Sequence, residues 1–339
     1  MTNFLTIETT CDETAAAIVT DSLQVLGSAV ATQDELHERF GGVVPEIAAR
    51  AHVERILPVI ELALQRAEKT LQDMDVIAVA NEPGLAGSLL VGLVAAKTLA
   101  LSLGKPLVTI NHLWAHVFAC QLSAKESIFP CVGMVVSGGH STLYRCESPV
   151  EFEVLGGTID DAAGEAFDKV ASLLGLPYPG GPAISKVAEQ GDRKAYDLPR
   201  TFIRDDEIHF SFSGLKTAVR YKLVGPGRHD FSELEIDSQV VANLAASFEE
   251  AVVDVLIAKA TLALKKTGLR RLCVGGGVAA NKRFRERLAN AMSEVGCELL
   301  IAKPELCTDN AVMGAIAVER WKAGLTESLD VDILAGLQR

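Results

Sequence analysis

Aromatic side chains are scarce here, at 5% of 339 residues with two Trp, which excludes cores built around large rings. Such cores must instead come from Ala, Val, Leu and Ile, consistent with 49% hydrophobic residues. Positive charge is also short: 32 Lys and Arg face 44 Asp and Glu, for a formal charge of -12. That deficit argues against nucleic-acid binding by bulk electrostatics, so a polyanion would need a local basic patch or a partner. The seven cysteines are odd in number and include no C-x-x-C, so neither a disulfide framework nor a zinc ribbon is indicated. Most are expected reduced and buried. Long apolar runs are missing too: the longest, around Leu85 to Leu103, is interrupted by Lys97. The opening Asn3-Phe4-Leu5-Thr6-Ile7 lacks a charged region followed by an apolar one. The expectation is a soluble, cytoplasmic protein with no membrane partner.

What is present is alternation of strands and helices. A strand, the polar run Glu8-Thr9-Thr10-Cys11-Asp12-Glu13-Thr14 and a second strand fill residues 4 to 19. A long helix is predicted from about Pro45 to Glu68, with Pro45 suited to its first turn. Strand Asp75 to Ala80, turn Glu82-Pro83-Gly84, helix Gly87 to Ser102, strand Leu107 to Ile110 and another helix complete the first half. The second half repeats this order: hairpin Cys131 to Cys146, helix Asp161 to Leu174, an irregular stretch to about 235, and helix Gln239 to Lys266. Strand Arg271 to Val274, Gly275-Gly276-Gly277, helix Ala280 to Met292, strand Cys297 to Ala302 and helix Asp309 to Ala323 follow. This is an α/β chain of two related domains, expected at 1–125 and 126–325, with an insertion at about 185–235 and a C-terminal helix 323–339 returning to the first. Glycine turns at strand ends would gather at a ligand cleft between the halves.

The sharpest local feature is His112-Leu-Trp-Ala-His116. Imidazoles four apart on a helix share a face and can grip one metal ion, although this spacing also arises in ordinary helices. Asp309, in Cys307-Thr308-Asp309-Asn310, would supply a carboxylate or merely cap a helix. Both places follow the last strand of a half, so pseudo-symmetry is expected to bring His112 and Asp309 face to face across the cleft.

The turns at Gly138-Gly139, Pro179-Gly180-Gly181-Pro182 and Gly275 to Gly277 either close tight bends or present backbone N–H groups to a phosphate. None matches the P-loop or the dinucleotide fingerprint. Asp12 and Glu13 sit in a turn that is either solvated or at the cleft mouth. Asp161, Glu165 and Asp168 share a helix face that either stabilises a helix start or binds ribose hydroxyls. Basic residues at Lys265-Lys266, Arg270-Arg271 and Lys282 to Arg287, with Arg200 and Arg204, read mainly as solvated faces. Any RNA would be recruited by the insertion.

A collinear set extends this reading: Ile7 to Thr14, Gly41 to Glu46, Pro83-Gly84-Leu85, His112 to His116, Val136 to His140, Asp160 to Lys169, Tyr178 to Pro182, Phe212 to Lys216 and Cys307 to Asn310. In these residues, from about 4 to 320, the chain resembles the TsaD family of tRNA threonylcarbamoyladenosine transferases. The resemblance implies two actin-like domains of the Hsp70 and sugar-kinase class, related to RNase H, with a ligand and metal cleft between them. It implies transfer of a threonylcarbamoyl group from threonylcarbamoyl-AMP to N6 of the adenosine 3′ of the anticodon, in tRNAs reading codons that begin with A, with release of AMP. His112, His116 and Asp309 would hold one divalent metal per subunit, Fe2+ in preference to Zn2+. Val135, Val136, Ser137, Gly138, Gly139, Asp168, Gly181 and Asn281 would contact the adenylate, and Asp12 would be the acidic residue nearest the chemistry, which makes it the candidate general base. The implied partners are tRNA, a TsaB-like paralogue forming a heterodimer, a TsaE-like ATPase, and a separate synthase that supplies threonylcarbamoyl-AMP. Three positions depart from the family pattern: Asn111, Glu82 and Ser185. The competing readings are an O-carbamoyltransferase acting on a small molecule and a non-catalytic scaffold; a metallopeptidase fits poorly because HxxxH lacks the Glu of H-E-x-x-H.

Overall fold

A computed structural model describes residues 1–225 and 237–336. The strands are β1 (Asn3–Glu8), β2 (Thr14–Thr20), β3 (Val25–Ala31), β4 (Val76–Glu82), β5 (Leu107–Asn111), β6 (Cys131–Val136), β7 (Ser141–Ser148), β8 (Glu151–Gly157), β9 (Arg271–Gly275) and β10 (Glu298–Ile301). The α-helices are α1 (Asp34–His37), α2 (Pro45–Ala67), α3 (Ala86–Leu103), α4 (His112–Phe118), α5 (Ala163–Leu173), α6 (Gly180–Ala188), α7 (Ser213–Val224), α8 (Ser238–Thr267), α9 (Lys282–Glu294) and α10 (Ile316–Lys322). They form two compact units, the first of Met1–Phe129, Glu147–Phe152 and Ala302–Arg339, the second of Pro130–Cys146 and Glu153–Ile301.

In the first unit the sheet order is β3-β2-β1-β4-β5. β1 is antiparallel to β2 and parallel to β4, and β5 extends the parallel half. Both faces of β1 and β2 are buried, which is why they read as near-continuous apolar runs. Leu5, Ile7, Ile18, Ile77 and Val79 of the sheet pack with Ile56, Ile60 and Leu64 of α2 and Leu93 and Ala96 of α3. Among the described residues α3 alone is long and apolar enough to cross a membrane by length and composition, but Leu89, Leu93, Ala96 and Ala100 are buried within the unit.

The second unit repeats the order as β8-β7-β6-β9-β10. β6 is antiparallel to β7 and parallel to β9, which is parallel to β10. α8 is its spine: Phe248 meets Phe167 of α5 edge-on at 5.1 Å. The buried Lys259 ammonium donates to the carbonyls of Asp205 (2.9 Å) and Glu207 (2.7 Å), fastening the segment that precedes α7.

Several expectations need correction. Residues 302–325 belong to the first unit, because Thr6 Oγ1 donates to Ala311 O at 2.7 Å and Gly314 lies against Thr6 and Ile110. After Lys322 the described chain to 336 forms no helix; it runs along the first unit, where Glu327 bridges Leu107 and Leu334 N donates to Asn81 O at 2.9 Å. Residues 337–339 of the expected terminal helix lie outside the described residues. The expected irregular stretch contains α6 and α7, while its residues 226–235 also lie outside the described ones.

Candidate metal centre and adjoining residues

α4 starts directly from the end of β5, and Asn111 caps it by accepting from Leu113 N (3.0 Å) and Trp114 N (3.1 Å). This start fixes His112 in the first turn and His116 one turn on, both buried. Their rings meet edge-on with centroids 4.6 Å apart. Asp309 Oδ1 stands 3.5 Å from His112 Nε2 and 3.1 Å from His116 Nε2. All three residues lie in the first unit, so the expectation that His112 and Asp309 come from opposite halves is corrected. Asp309 precedes the next helical turn, which starts at Val312, and Asn310 Oδ1 accepts from Met313 N at 3.1 Å.

The donor set fits a divalent metal. Donors about 2.1 Å from a common ion stand roughly 3.0 to 3.4 Å apart at right-angle or tetrahedral geometry, close to the two separations from Asp309 Oδ1. The three ligand atoms lie within 4.8 Å of one another. Among the described residues the buried His116 Nδ1 has no hydrogen-bond partner, so Nε2 is the pole of that ring with polar company. His112 Nδ1 lies 3.1 Å from Glu8 Oε2 and 3.1 Å from Thr10 Oγ1. Two imidazoles and one carboxylate suit iron and zinc.

The electrostatics of the site favour positive charge. Burial would lower the His112 pKa, yet the carboxylates of Asp309 and Glu8 outweigh it and push the ring up to about 9. Burial keeps His116 below the ordinary imidazole value, against the pull of Asp309. Burial raises the Glu13 carboxyl well above its usual range, and Asp309 and Asp12 add to the effect. Burial likewise raises the Cys11 thiol, followed by Asp12 and Asp309. A cation would relieve this crowding of negative groups.

The turn between β1 and β2 carries Asp12, which is buried. Leu85 N donates to Thr10 O at 2.8 Å, and Thr9 Oγ1 donates to Ser88 O at 2.9 Å. A Cβ on Gly84 would meet Thr10 O at 2.6 Å, so this close approach needs glycine. Glu8 completes the arrangement by accepting from Thr10 N at 2.7 Å. The sequence reading assigned no role to Glu8; the available signal was a carboxylate ending the apolar strand Phe4–Ile7. His52, buried on α2 beside this turn, carried no local signature at all.

The other anticipated residues lie in the second unit. Val135 and Val136 end β6, and Ser137-Gly138-Gly139 form the bend to β7. Ser137 O and Gly138 O accept from Gly164 N and Glu165 N at 3.1 Å each, joining that bend to the start of α5. A Cβ on Gly164 would meet Ser137 O at 2.6 Å. Asp168 Oδ1 accepts from Gly180 N at 2.7 Å. Pro179 to Pro182, expected as a turn, thus form the start of α6, with Gly181 in its first turn. Asn281 caps α9 by accepting from Phe284 N at 2.8 Å, and its amide donates to Ser185 Oγ (2.8 Å) and Glu249 Oε1 (2.9 Å). The acidic face expected on α5 is partly neutralised: Lys169 pairs with Asp161 at 2.7 Å and Glu165 at 2.9 Å. Two unusual residues prove to be partners, since Asn111 Nδ2 donates to Glu82 Oε1 at 3.3 Å.

Comparison with known proteins gives a consistent result. The family model described as "TsaD: tRNA N6-adenosine threonylcarbamoyltransferase" matches residues 24–316. A protein of that name from Rhodopirellula baltica is 59% identical over 99% of this chain and 97% of its own. One from Symbiobacterium thermophilum is 48% identical over 98% and 96%. Among solved structures, full-length HypF has a TM-score of 0.61 at 15% identity, covering 96% of this chain and 56% of that one. The 2-hydroxyisocaproyl-CoA dehydratase activator from Clostridium difficile has a TM-score of 0.54 at 12% identity, covering 98% and 100%. At these identities the structural likenesses speak for the fold alone.

Proposed function

This chain belongs to the TsaD family of tRNA N6-adenosine threonylcarbamoyltransferases, and we propose from that premise that it moves a threonylcarbamoyl group from threonylcarbamoyl-AMP to N6 of the adenosine 3′ of the anticodon, forming threonylcarbamoyladenosine and AMP. The observation that carries this reading is the convergence of buried His112 Nε2 and His116 Nε2 on Asp309 Oδ1 in a chain with 59% identity to a transferase of that name.

The exocyclic amine of adenine is a poor nucleophile because its lone pair is delocalised into the ring. Transfer therefore needs an activated carbonyl and a proton acceptor. The N6 nitrogen forms a bond to the carbamoyl carbon, the bond from that carbon to the phosphate oxygen breaks, AMP departs, and the Asp12 carboxylate takes the amine proton. A base in this role contributes about 10²- to 10⁴-fold. The acceptor base must leave its stack to react. Val135, Val136, Ser137, Gly138, Gly139, Asp168, Gly181 and Asn281 contact the adenylate, backbone N–H groups of the glycine bend suiting its phosphate. A divalent cation held by His112, His116 and Asp309, Fe2+ in preference to Zn2+, would supply Lewis-acid polarisation of the adenylate's oxygens. Glu8 orients His112 from behind, the usual office of a carboxylate on the far nitrogen of a ligating imidazole.

The acidic chain shares tRNA binding with partners in the cytoplasm: a TsaB-like paralogue in a heterodimer and a TsaE-like ATPase, with the adenylate delivered by a separate synthase. α2 and α3 leave Val53, Leu57, Leu90, Val94 and Leu101 exposed, an apolar surface of the kind a paralogous subunit would cover.

The test is reconstitution. The chain is incubated with both partner proteins, threonylcarbamoyl-AMP and unmodified tRNA, and the tRNA is digested to nucleosides for mass spectrometry. Threonylcarbamoyladenosine is expected from the native chain and not from His112→Ala. No product from the native chain with competent partners would overturn the reading.

A further inference from the structure

On the inner face of α2, the buried His52 stands among Ala48, Ala51, Ile56 and Val59, where an imidazole is costly unless both nitrogens are satisfied. Both are. Nε2 lies 2.9 Å from the carbonyl oxygen of Cys11, and Nδ1 lies 2.8 Å from Thr14 Oγ1. A carbonyl only accepts, so Nε2 carries a proton. Burial holds the ring's pKa below the ordinary imidazole value, against the opposing pull of the Cys11 carbonyl, so the ring is neutral near pH 7. Nδ1 is then the acceptor, and the Thr14 hydroxyl donates to it. The two contacts admit one tautomer.

The carbonyl that His52 holds belongs to the peptide joining Cys11 to Asp12. Ser88 Oγ donates to the same oxygen at 3.1 Å, so α2 and α3 grip one peptide plane from two sides. Fixing that plane fixes the backbone from which the Asp12 carboxylate projects. Thr14, whose hydroxyl completes the ring's hydrogen bonding, is the first residue of β2, two residues after Asp12. The turn is thus clamped on both flanks of the proposed base.

We propose that His52 is a positioning residue for the transfer reaction, holding the Cys11–Asp12 peptide so that Asp12 meets the reacting amine in register. This rests on the transferase reading and on the role given there to Asp12. Among the described residues His52 hydrogen-bonds Cys11 and Thr14 and none of the three candidate ligands. Its loss therefore acts on the chemical step rather than on metal or adenylate binding.

The experiment uses the full chain with its partner proteins and measures kcat, KM for threonylcarbamoyl-AMP, metal content and thermal unfolding. His52→Phe keeps a flat ring and removes both hydrogen bonds; His52→Gln keeps an N–H donor near the Nε2 position. The expected result for His52→Phe is a kcat lower by about 10- to 100-fold, the scale of a misplaced reacting group, with KM and metal content unchanged. His52→Gln recovers a measurable part of that loss. Thr14→Val, nearly isosteric, removes the hydroxyl that donates to Nδ1 and gives a smaller fall in kcat, which decides the matter should His52→Phe fail to fold. Native kcat in His52→Phe or Thr14→Val, or a loss that follows metal content, overturns the proposal. His112→Ala and Asp12→Asn run alongside: activity surviving in them defeats the underlying reading, whereas their inactivity beside a fully active His52→Phe defeats this proposal alone.

Discussion

Glu8 Oε2 lies 3.1 Å from His112 Nδ1, which occupies that nitrogen and turns Nε2 toward Asp309. A ligating imidazole held this way is fixed in tautomer and orientation, and removing such a carboxylate weakens metal binding by about 10- to 100-fold. Glu8→Gln is expected to weaken binding of Fe2+ or Zn2+ by that factor while leaving the fold intact, as read by competition with a metal-binding dye. Native affinity in Glu8→Gln would mean the contact serves packing alone.

The alternation of strands and helices was legible because hydrophobic periodicity survives in β1, β2, β4, α2 and α3, whose inner faces are apolar. β8 was missed because its sequence, Glu-Phe-Glu-Val-Leu-Gly-Gly, is largely solvent-facing and shows no continuous apolar set. α6 was hidden by Pro179-Gly180-Gly181-Pro182, which reads as a turn although Pro182 fits a helix's first turn. His112 and His116 announce themselves by spacing. Glu8 and His52 do not, since their partners lie 104 and 41 residues away and only the fold joins them. Asp309 was found for a mistaken reason: pseudo-symmetry placed it opposite the histidines, whereas the Thr6 to Ala311 hydrogen bond ties its segment to their own unit.

Asp12 is expected to be separable from the ligands by substitution. Asp12→Asn removes the proposed proton acceptor with little change in shape, so kcat should fall by about 10²- to 10⁴-fold with metal content unchanged. Single-turnover transfer to unmodified tRNA reads this directly. Normal turnover in a folded Asp12→Asn chain would remove Asp12 from the role.

Acid stability in the second unit has a definite sign at Glu250. Burial would raise its carboxyl, but Arg283, Arg287 and Arg193 outweigh it and hold the pKa below the usual range; Arg283 Nε donates at 2.8 Å. A depressed folded pKa contributes stability above the unfolded value of about 4.3, and the contribution is lost as pH falls through the folded value. Glu250→Gln should therefore unfold at a lower temperature than the native chain near pH 7, and the gap should close at an acid pH below the folded value. An equal gap at both values would show that the arginines contribute by packing and not by charge.

We infer that transfer needs a divalent metal at His112, His116 and Asp309. This is tested most directly by adding Fe2+ or Zn2+ stepwise to chelator-stripped chain, with partner proteins, threonylcarbamoyl-AMP and unmodified tRNA present, and measuring threonylcarbamoyladenosine at each step. Product that is absent from the stripped chain and rises to a plateau at one metal per chain is the predicted result. Full activity in the stripped chain, unchanged by added metal, would contradict it.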